Sequence, residues 1–378
     1  MDIVSRLKFD IPHIVVVDIF CGAGGLTHGF IKDGSQVVAG VDSDASCQYA
    51  YEHNNPGAKF LHNKVEDVRA DDILPLFPPG SIKVLVGCAP CQPYSTYTRR
   101  HRRGKTLGSG TMPGEIKTCA ERWELLARFA DLIETVRPDI VSMENVPELT
   151  TFSGGGVYRE FIERLEAIGF TVTDYVVYCP DYGMPQKRKR LVLFASSFGK
   201  VDIVPPTHRP CDYMTVAASI GHLPKIEAGQ TCPTDPLHRT SGLSELNLRR
   251  IRHSNPGGSW KDWPEELRAG CHRRDTGESY GSVYGRMKWD EPSPTMTTQC
   301  HGFGNGRFGH PEQDRAISIR EAALLQTFPP GYAFVAPDTP WHIETIARHI
   351  GNAVPVNLGR VIARSIRRHV MEHRHADC

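Results

Sequence analysis

The sequence predicts an α/β protein, a doubly wound and mostly parallel sheet followed by a second, smaller and irregular domain. Through residues 1–198, short β-branched runs alternate with longer segments of helical periodicity, a pattern typical of parallel strands joined by crossover helices. From residue 199, prolines and glycines replace that alternation. The chain has 378 residues, of which 40% are hydrophobic. This length allows two or three domains with a substantial core.

The predicted elements of the first domain follow one another in a regular order. The predicted strands are short apolar runs, at Ile14–Val17, Val37–Val41, Ile82–Val86, Ile140–Met143, Tyr175–Tyr178 and Leu191–Phe194. The predicted helices have apolar side chains three or four positions apart, at Leu26–Lys32, Ala45–Glu52, Glu121–Val136 and Tyr158–Ile168. Because strands and helices alternate, we expect a parallel sheet with helices on both faces.

The second domain is predicted over residues 199–315. Its prolines crowd between Pro205 and Pro236, and it shows little helical periodicity. Helical spacing returns from Arg320, and the pattern predicts one helix over Ile346–Val370.

The composition excludes several classes of protein. Lysine and arginine together number 44, against 43 aspartates and glutamates, which excludes both a disordered acidic protein and a uniformly basic, histone-like one. Any nucleic-acid site must therefore be a local patch. The 11 cysteines have no regular spacing, which favours free thiols in a reducing compartment, and no apolar run reaches the length of a membrane span. We expect a cytoplasmic protein with no membrane partner.

Unusual residues lie at the ends of four predicted strands. In a doubly wound sheet, ligands bind outside the carboxyl ends of the strands. The four segments found there are Asp18–Gly25, Asp42, Cys88–Ser95 and Glu144–Pro147. We expect all four to face one crevice.

The first of these segments contains a glycine loop between a strand and a helix. The third glycine of the dinucleotide-binding fingerprint would fall at position 27, which is Thr27 in this sequence. This difference argues against a site for a dinucleotide pyrophosphate. Asp42 ends the next strand, where a carboxylate can accept the ribose hydroxyls of a nucleoside. With Asp67 the site is acidic, which suits a positively charged nucleoside such as S-adenosylmethionine. A tight turn without a ligand is the alternative interpretation.

Cys91 is the candidate nucleophile, because Pro90 and Pro93 fix the backbone around it. Cys88 and Cys91 also form a CxxC pair, and a redox dithiol or half of a zinc site is the alternative. Glu144 ends an apolar strand, where it could act as an acid in a cleft or form only a helix cap or ion pair.

Two basic segments complete the set of candidate residues. Arg188 and Arg190 are two positions apart where the chain enters a predicted strand. Residues at this spacing face the same side of a strand, so both could point into the crevice. The basic run 99–105 is expected to be a mobile lid that closes on phosphates, or else a solvated surface loop.

Taken as a set, these residues resemble the DNA (cytosine-5) methyltransferase family over nearly the whole chain. Asp18–Gly25 is similar to the family's cofactor loop, Pro90–Gln92 to its nucleophile loop, and Glu144–Val146 to its acid motif. Gln186–Arg190 is similar to its QxRxR motif. Arg320–Pro329 and Gly351–Val354 are similar to the two motifs that bracket its C-terminal return to the catalytic domain. The resemblance implies a Rossmann-like catalytic and cofactor-binding domain at 1–198, a target-recognition domain at 199–315, and a C-terminal return to the catalytic domain at 316–378.

The resemblance also implies the site residues. The catalytic group would be Cys91, Glu144, Arg188 and Arg190. The residues lining the S-adenosylmethionine pocket would be Phe20, Cys21, Gly22, Ala23, Gly25, Asp42, Ser43, Asp67, Val68, Pro90, Leu125, Asn352 and Val354. Asp42 would bind the ribose and Asp67 the adenine amine, although the family usually has Glu at the position of Asp42.

The implied activity is methyl transfer to carbon 5 of a flipped-out cytosine in a specific duplex DNA sequence, through a covalent Cys91 intermediate. The expected partners are double-stranded DNA and, as a candidate, a cognate restriction endonuclease, with a monomeric enzyme and no metal. Two alternatives are a transfer-RNA cytosine-5 methyltransferase and a non-catalytic DNA-binding module. A thiol oxidoreductase is a more distant one.

Overall fold

The computed structural model describes residues 13–90, 119–274 and 281–376. Seven strands of this part form one sheet in the order β3-β2-β1-β4-β5-β8-β6. These strands are β1 (Ile14–Ile19), β2 (Gln36–Asp42), β3 (Lys59–His62), β4 (Ile82–Gly87), β5 (Ile140–Asn145), β6 (Thr171–Tyr178) and β8 (Lys189–Ser196), with the two-residue β7 (Gln186–Lys187) before β8. The neighbours from β3 to β5 pair in parallel, and β8 is antiparallel to both β5 and β6. The predicted fold class is confirmed.

Helices cover both faces of the sheet. They are α1 (Gly25–Lys32), α2 (Gln48–Asn54), α3 (Ala70–Ile73), α4 (Cys119–Val136) and α5 (Gly156–Ala167). All six residues of β1 are buried, and its five apolar residues are divided between two apolar clusters. Val16 packs in the cluster that includes Phe30 of α1, and Val17 in the one that includes Phe129 of α4. Because this strand is buried on both faces, the run Ile14–Val17 is apolar at every position, which is why the sequence predicted it.

Residues 199–315 contain short elements: α6 (Val216–Ile220), β9 (Thr231–Cys232), β10 (Asp235–Arg239), α7 (Glu245–Arg252) and β11 (Ser293–Pro294). A third apolar cluster lies mainly in this region and includes Trp260, Trp263 and Phe303. The domain boundaries at 198 and 315 remain a prediction. No helix among the described residues is long and apolar enough to cross a membrane.

The single helix predicted over Ile346–Val370 is wrong. After α8 (Ile319–Leu325), the chain forms α9 (Ile343–Asn352) and α10 (Val356–Ala376). Proline has no N–H to donate and disfavours a helical conformation in the residue before it, so Pro355 separates the two helices. Apolar spacing continues across the break, which concealed it. The Gln326 Nε2 group donates to the carbonyls of Ile350 (2.7 Å) and Ala353 (3.2 Å), and so satisfies the end of α9.

Helix α10 returns to the first part of the chain and packs on α1. The two backbones meet at Gly29 and Gly359, where a Cβ added to Gly29 would lie 2.5 Å from the Val356 carbonyl oxygen and 2.7 Å from the Arg360 nitrogen. Both obstacles are backbone atoms, so a larger residue cannot be accommodated by a side-chain rotation.

We therefore expect Gly29→Ala to destabilise the protein by about 1–3 kcal/mol, because overpacking outweighs the gain of about 1 kcal/mol in helix propensity. Denaturant unfolding monitored by circular dichroism measures this difference. Gly270→Ala is the control, because an added Cβ there has no neighbour within 4 Å. A Gly29→Ala protein as stable as wild type would contradict the close approach of α1 and α10.

Candidate active site

A cavity of about 310 Å³ opens at the carboxyl ends of β1, β2, β3 and β4. The glycine loop, the segments after β2, β3 and β4, and the link between α9 and α10 all contribute to its wall. Its lining residues are Phe20–Ala23, Leu26, Val41–Asp44, Cys47, Asn63–Glu66, Cys88–Pro90, Leu125, His349 and Asn352–Val354. Three of the four strand-end segments expected to face one crevice contribute lining residues, namely Phe20–Ala23, Asp42 and Cys88–Pro90, whereas no residue of Glu144–Pro147 lines the cavity. Residues from both ends of the sequence line it.

The glycine loop is held in one conformation by groups beneath it. Gly24 has φ 87°, and a Cβ there would lie 2.7 Å from Asn55 Nδ2 and 3.0 Å from the Tyr332 hydroxyl oxygen. Only glycine fits a position with both a positive φ and such close neighbours. The Tyr332 hydroxyl donates to the Ala23 carbonyl over 2.5 Å. The glycine loop therefore forms a narrow turn beside the cavity, and Tyr332 from the C-terminal part of the chain holds this turn in place.

Asp18 lies buried under the same loop. Its Oδ2 accepts a hydrogen bond of 2.7 Å from the Thr27 hydroxyl. Burial raises the pKa of Asp18 to about 7, although the bond from Thr27 lowers it. Thr27 stands where a dinucleotide loop would have its third glycine, and its side chain binds Asp18 instead. This loop is thus built differently from a pyrophosphate cradle.

Asp42 connects the glycine loop to the end of β2. Its Oδ2 accepts from the Gly22 N–H (2.9 Å) and its Oδ1 from the Asp44 N–H (2.8 Å). Burial raises the pKa of Asp42, while these two N–H groups lower it. The carboxylate lines the cavity and retains further lone pairs, so it can accept hydroxyl hydrogens from a bound ligand.

Asp44, Cys47 and His349 offer donor atoms that all lie within 4.8 Å of one another in the cavity wall. Residue types of this kind can hold a metal ion. Asp44 Oδ2 lies 3.5 Å from His349 Nε2 and 2.9 Å from the Arg348 guanidinium, and His349 and Arg348 both lower the pKa of Asp44. Burial raises the pKa of the Cys47 thiol. We interpret the group as part of the cavity wall, in which Asp44 pairs with Arg348 and the Cys47 thiol keeps its proton.

Glu144 is placed beside the cavity by the end of β5. It is buried, with 3% of the side chain exposed, and its Oε1 lies 2.9 Å from Arg190 Nε of the neighbouring strand β8. The Cys88 thiol donates to Oε2 over 2.8 Å. Because Cys88 itself lines the cavity, one side chain separates the carboxyl from the cofactor-sized space. The arrangement presents an acidic group and a cation together at a strand end.

Arg188 is also buried, but its surroundings differ from those of Arg190. It donates to the Met296 carbonyl (3.0 Å) and to the Ala353 carbonyl (3.4 Å), the second of which belongs to the cavity wall. The Gln186 Nε2 group donates to the Leu325 carbonyl over 3.0 Å. The segment Gln186–Arg190 therefore joins the sheet to residues near 296, 325 and 353, and its last residue pairs with Glu144.

Most of the residues predicted for the cofactor pocket line this cavity. These are Phe20, Cys21, Gly22, Ala23, Asp42, Ser43, Pro90, Leu125, Asn352 and Val354. The basic run 99–105 and the nucleophile candidate Cys91 lie outside the described residues.

Gly25, Asp67 and Val68 are not among the lining residues. A Cβ on Gly25 would lie 2.3 Å from the Val354 carbonyl oxygen, so Gly25 serves the approach of α1 to the link after α9. In the turn Val65–Asp67, Glu66 reaches the cavity wall in place of Asp67, and Val68 packs in the core.

Several lining residues were not predicted from the sequence. Asn63–Glu66 follow β3, a strand of four residues that was itself missed because its buried and exposed positions are too few to show a period. His349 contacts Ser46 over 3.0 Å although 303 positions separate them. The sequence offers one indication that His349 belongs to the site, which is its position three residues before the predicted lining residue Asn352.

Comparisons with known proteins agree with this geometry. The family model of C-5 cytosine-specific DNA methylases matches residues 14–368. Type II methylase M.HgiDII of Herpetosiphon aurantiacus is 54% identical over 353 residues, which cover 93% of this chain and 95% of that protein. Type II methyltransferase M1.HphI of Haemophilus parahaemolyticus is 29% identical and covers 93% of this chain, with 86% of its own length matched.

Solved structures show the same fold. A methyltransferase encoded within an E. coli prophage superimposes with a TM-score of 0.68 at 20% identity, over 95% of this chain and 99% of the other. A Spodoptera frugiperda DNMT2 mutant gives 0.61 at 14% identity, over 93% and 99%. The family model matches almost the entire sequence, and one relative is more than 50% identical, so the family of this chain is established. This chain belongs to the C-5 cytosine-specific DNA methylase family and is a DNA (cytosine-5)-methyltransferase.

Proposed function

We propose that the protein transfers a methyl group from S-adenosylmethionine to carbon 5 of a flipped-out cytosine in one specific duplex DNA sequence, through a covalent bond to Cys91. The observation that carries this proposal is Glu144, held between Arg190 and Cys88 beside the cavity at the strand ends. Cys91 follows Cys88 by three residues in the sequence.

The cavity suits a nucleoside with a positive charge. Asp42, Asp44 and Glu66 give its wall acidic groups, and Phe20, Leu125 and Val354 give it apolar surface. S-adenosylmethionine would supply an electrophilic methyl group on its sulfonium. Asp42 would accept the ribose hydroxyls, and Phe20 and Leu125 would cover the base.

The catalytic residues would act on the cytosine ring. Carbon 5 is a poor nucleophile, so the Cys91 thiolate first adds to carbon 6 and makes the ring an enamine. Glu144 donates a proton to N3, and Arg188 and Arg190 stabilise the negative charge that develops toward O2. After carbon 5 is methylated, a base or water removes its proton and Cys91 leaves. A stacked duplex does not allow this approach, so the base must be flipped out.

Sequencing of host DNA tests the activity and identifies the target together. We expect DNA from a host that expresses the wild-type protein to carry 5-methylcytosine at one short sequence, and DNA from a host that expresses Cys91→Ala to carry none. Methylation of cellular RNA in place of DNA would contradict the substrate that we propose. If neither DNA nor RNA is methylated, the result would favour the alternative of a non-catalytic DNA-binding module.

A Type II methylase that is 54% identical supports a restriction–modification role for this protein, beside a cognate endonuclease. The cytoplasmic location and the monomeric state remain predictions.

Asp42→Ala should weaken S-adenosylmethionine binding by roughly tenfold or more, because it removes a charge-assisted hydrogen bond and releases the Gly22 N–H that the carboxylate holds. Isothermal titration calorimetry measures the change. Asp42→Asn is the matched variant, since it keeps one acceptor oxygen and loses the charge.

The same calorimetry should show a pH dependence in the wild type. Burial raises the pKa of Asp42, so acidification protonates it and weakens cofactor binding as the pH falls. Asp42→Asn should lack that dependence. Unchanged cofactor affinity in Asp42→Ala would remove Asp42 from the site, and DNA affinity should stay near wild type in both variants.

A further inference from the structure

Four cations surround an open cavity of about 600 Å³ in the region 199–315. They are Lys261, Arg268, Arg273 and Arg274, which we call the basic cluster. The remaining lining residues are Trp260, Glu265 and His272, so a single carboxylate faces the four positive charges. Asp262 and Glu266 are close in sequence but do not line this cavity.

The side chains of Trp260 and His272 form the floor of the basic cluster. The Trp260 and His272 rings stack with centroids 4.3 Å apart and 17° between their planes, and both are buried. Arg268 donates to the carbonyls of Trp263 and Lys261, each over 3.2 Å, and its guanidinium lies 6.0 Å from the Trp260 ring. Burial lowers the pKa of His272, so the floor adds no charge at neutral pH.

Some other cations of the same region have a carboxylate partner that, among the described residues, the cations of the basic cluster lack. Arg252, Arg286 and Arg315 each pair with a carboxylate. Within residues 13–90, 119–274 and 281–376, no carboxylate oxygen lies within 4.0 Å of a charged nitrogen of the basic cluster. Arg273 donates to the Glu265 backbone carbonyl over 2.8 Å, and Lys261, Arg273 and Arg274 are exposed. Four cations with no counter-ion among these residues repel one another, which favours binding of a polyanion.

We propose that the basic cluster binds the phosphodiester backbone of duplex DNA, and that it holds the target-recognition region against the helix without reading bases. The proposal rests on the proposed function, because it assigns a contact to that same DNA substrate. Arginine forks match the geometry of phosphate oxygens, and contacts of this kind position a protein on the duplex without carrying sequence information.

The burial of the aromatic ring decides between two kinds of nucleic-acid contact. Trp260 is 3% exposed, and His272 stacks on its ring. A base of a single strand needs an exposed aromatic face on which to stack. Trp260 offers none, so the basic cluster contacts the backbone of a nucleic acid and does not stack on unpaired bases.

The test is the salt dependence of DNA affinity in the full-length enzyme. We compare wild type with the double variant Arg273→Gln/Arg274→Gln, using one duplex with the target sequence and one without it, at several salt concentrations between about 50 and 200 mM. The control is Lys200→Gln/Lys225→Gln, which removes the same charge from exposed lysines that already have ion-pair partners.

We expect the slope of log affinity against log salt to become shallower by up to about 1.8 in the arginine variant, at about 0.9 for each phosphate that the protein no longer neutralises. Affinity for both duplexes should fall by the same factor, with the ratio between them, the cofactor affinity and the rate at saturating DNA unchanged. The lysine control should keep a slope close to that of wild type. An unchanged slope in the arginine variant would overturn the proposal.

Two further outcomes would overturn it as well. A selective loss of affinity for the target duplex would mean that these arginines read bases. Tighter binding of single-stranded RNA than of duplex DNA, lost in the arginine variant, would assign the basic cluster to another nucleic acid. The proposed function fails separately, if the wild-type enzyme binds DNA with the expected slope and transfers no methyl group.

Discussion

A duplex with 5-fluorocytosine at the target position should become covalently trapped on the enzyme, and Cys91→Ala should abolish the trapping completely. After methylation, carbon 5 of the fluorinated base bears fluorine where the removable proton would be, so elimination of the cysteine cannot proceed. The complex should survive denaturing electrophoresis, and only when S-adenosylmethionine is present to complete the methylation. The measurement is the fraction of DNA that migrates with the protein.

Cys88→Ala is the matched control for this experiment. Cys88 lies three residues before Cys91 in the sequence and donates its thiol hydrogen to Glu144, but it is not the proposed nucleophile. Its variant should still trap the fluorinated duplex, at a reduced rate. Trapping that depends on Cys88 and not on Cys91 would show that the nucleophile is wrongly assigned. A dithiol mechanism would require both cysteines.

Glu144→Gln should lower the rate of methyl transfer by roughly 10²–10⁴-fold, the usual contribution of a positioned general acid. Glutamine keeps the shape of the side chain but has no proton to give to N3. Single-turnover methylation with saturating cofactor and DNA measures the effect. Cofactor affinity should be unchanged, because Glu144 is not a lining residue of the cavity.

Two measurements separate a catalytic role of Glu144 from a structural one. Removing its charge leaves Arg190 with 11% of its side chain exposed and without its ion-pair partner, so thermal unfolding must show that the variant is folded at the assay temperature. Glu134→Gln removes a carboxylate that pairs with Arg164 instead, and it should leave the rate unchanged. A Glu144→Gln rate within a factor of two of wild type would exclude Glu144 as the acid.

The strand ends could be predicted from the sequence because a parallel sheet brings the ends of its strands to one edge. Asp42 and Cys88 were expected to share a crevice on that ground alone, and both line the cavity. Local periodicity was sufficient for the buried strands. It was insufficient for β3, whose four residues show too little pattern, and for the break at Pro355, where the apolar spacing continues.

The contacts missed from the sequence are those made between distant segments. The side chain of Gln326 caps α9, and His349 contacts Ser46, but no local pattern encodes either pairing. Glu66 replaces Asp67 at the cavity because the turn Val65–Asp67 directs one acidic residue inward and not the next. A shift of one position within a turn depends on backbone geometry that composition does not show.

The link between α9 and α10 has a consequence for the order in which activity appears during synthesis. Asn352 and Val354 complete a cavity whose other walls come largely from residues 20–90. A ribosome adds about 5–20 residues per second, and the N-terminal part folds first. A nascent chain that already has all seven strands of the sheet therefore still lacks a closed cavity at the strand ends. Residues 199–315, the predicted target-recognition domain, emerge before residue 354 does, so each growing chain contains this region before its cavity is closed.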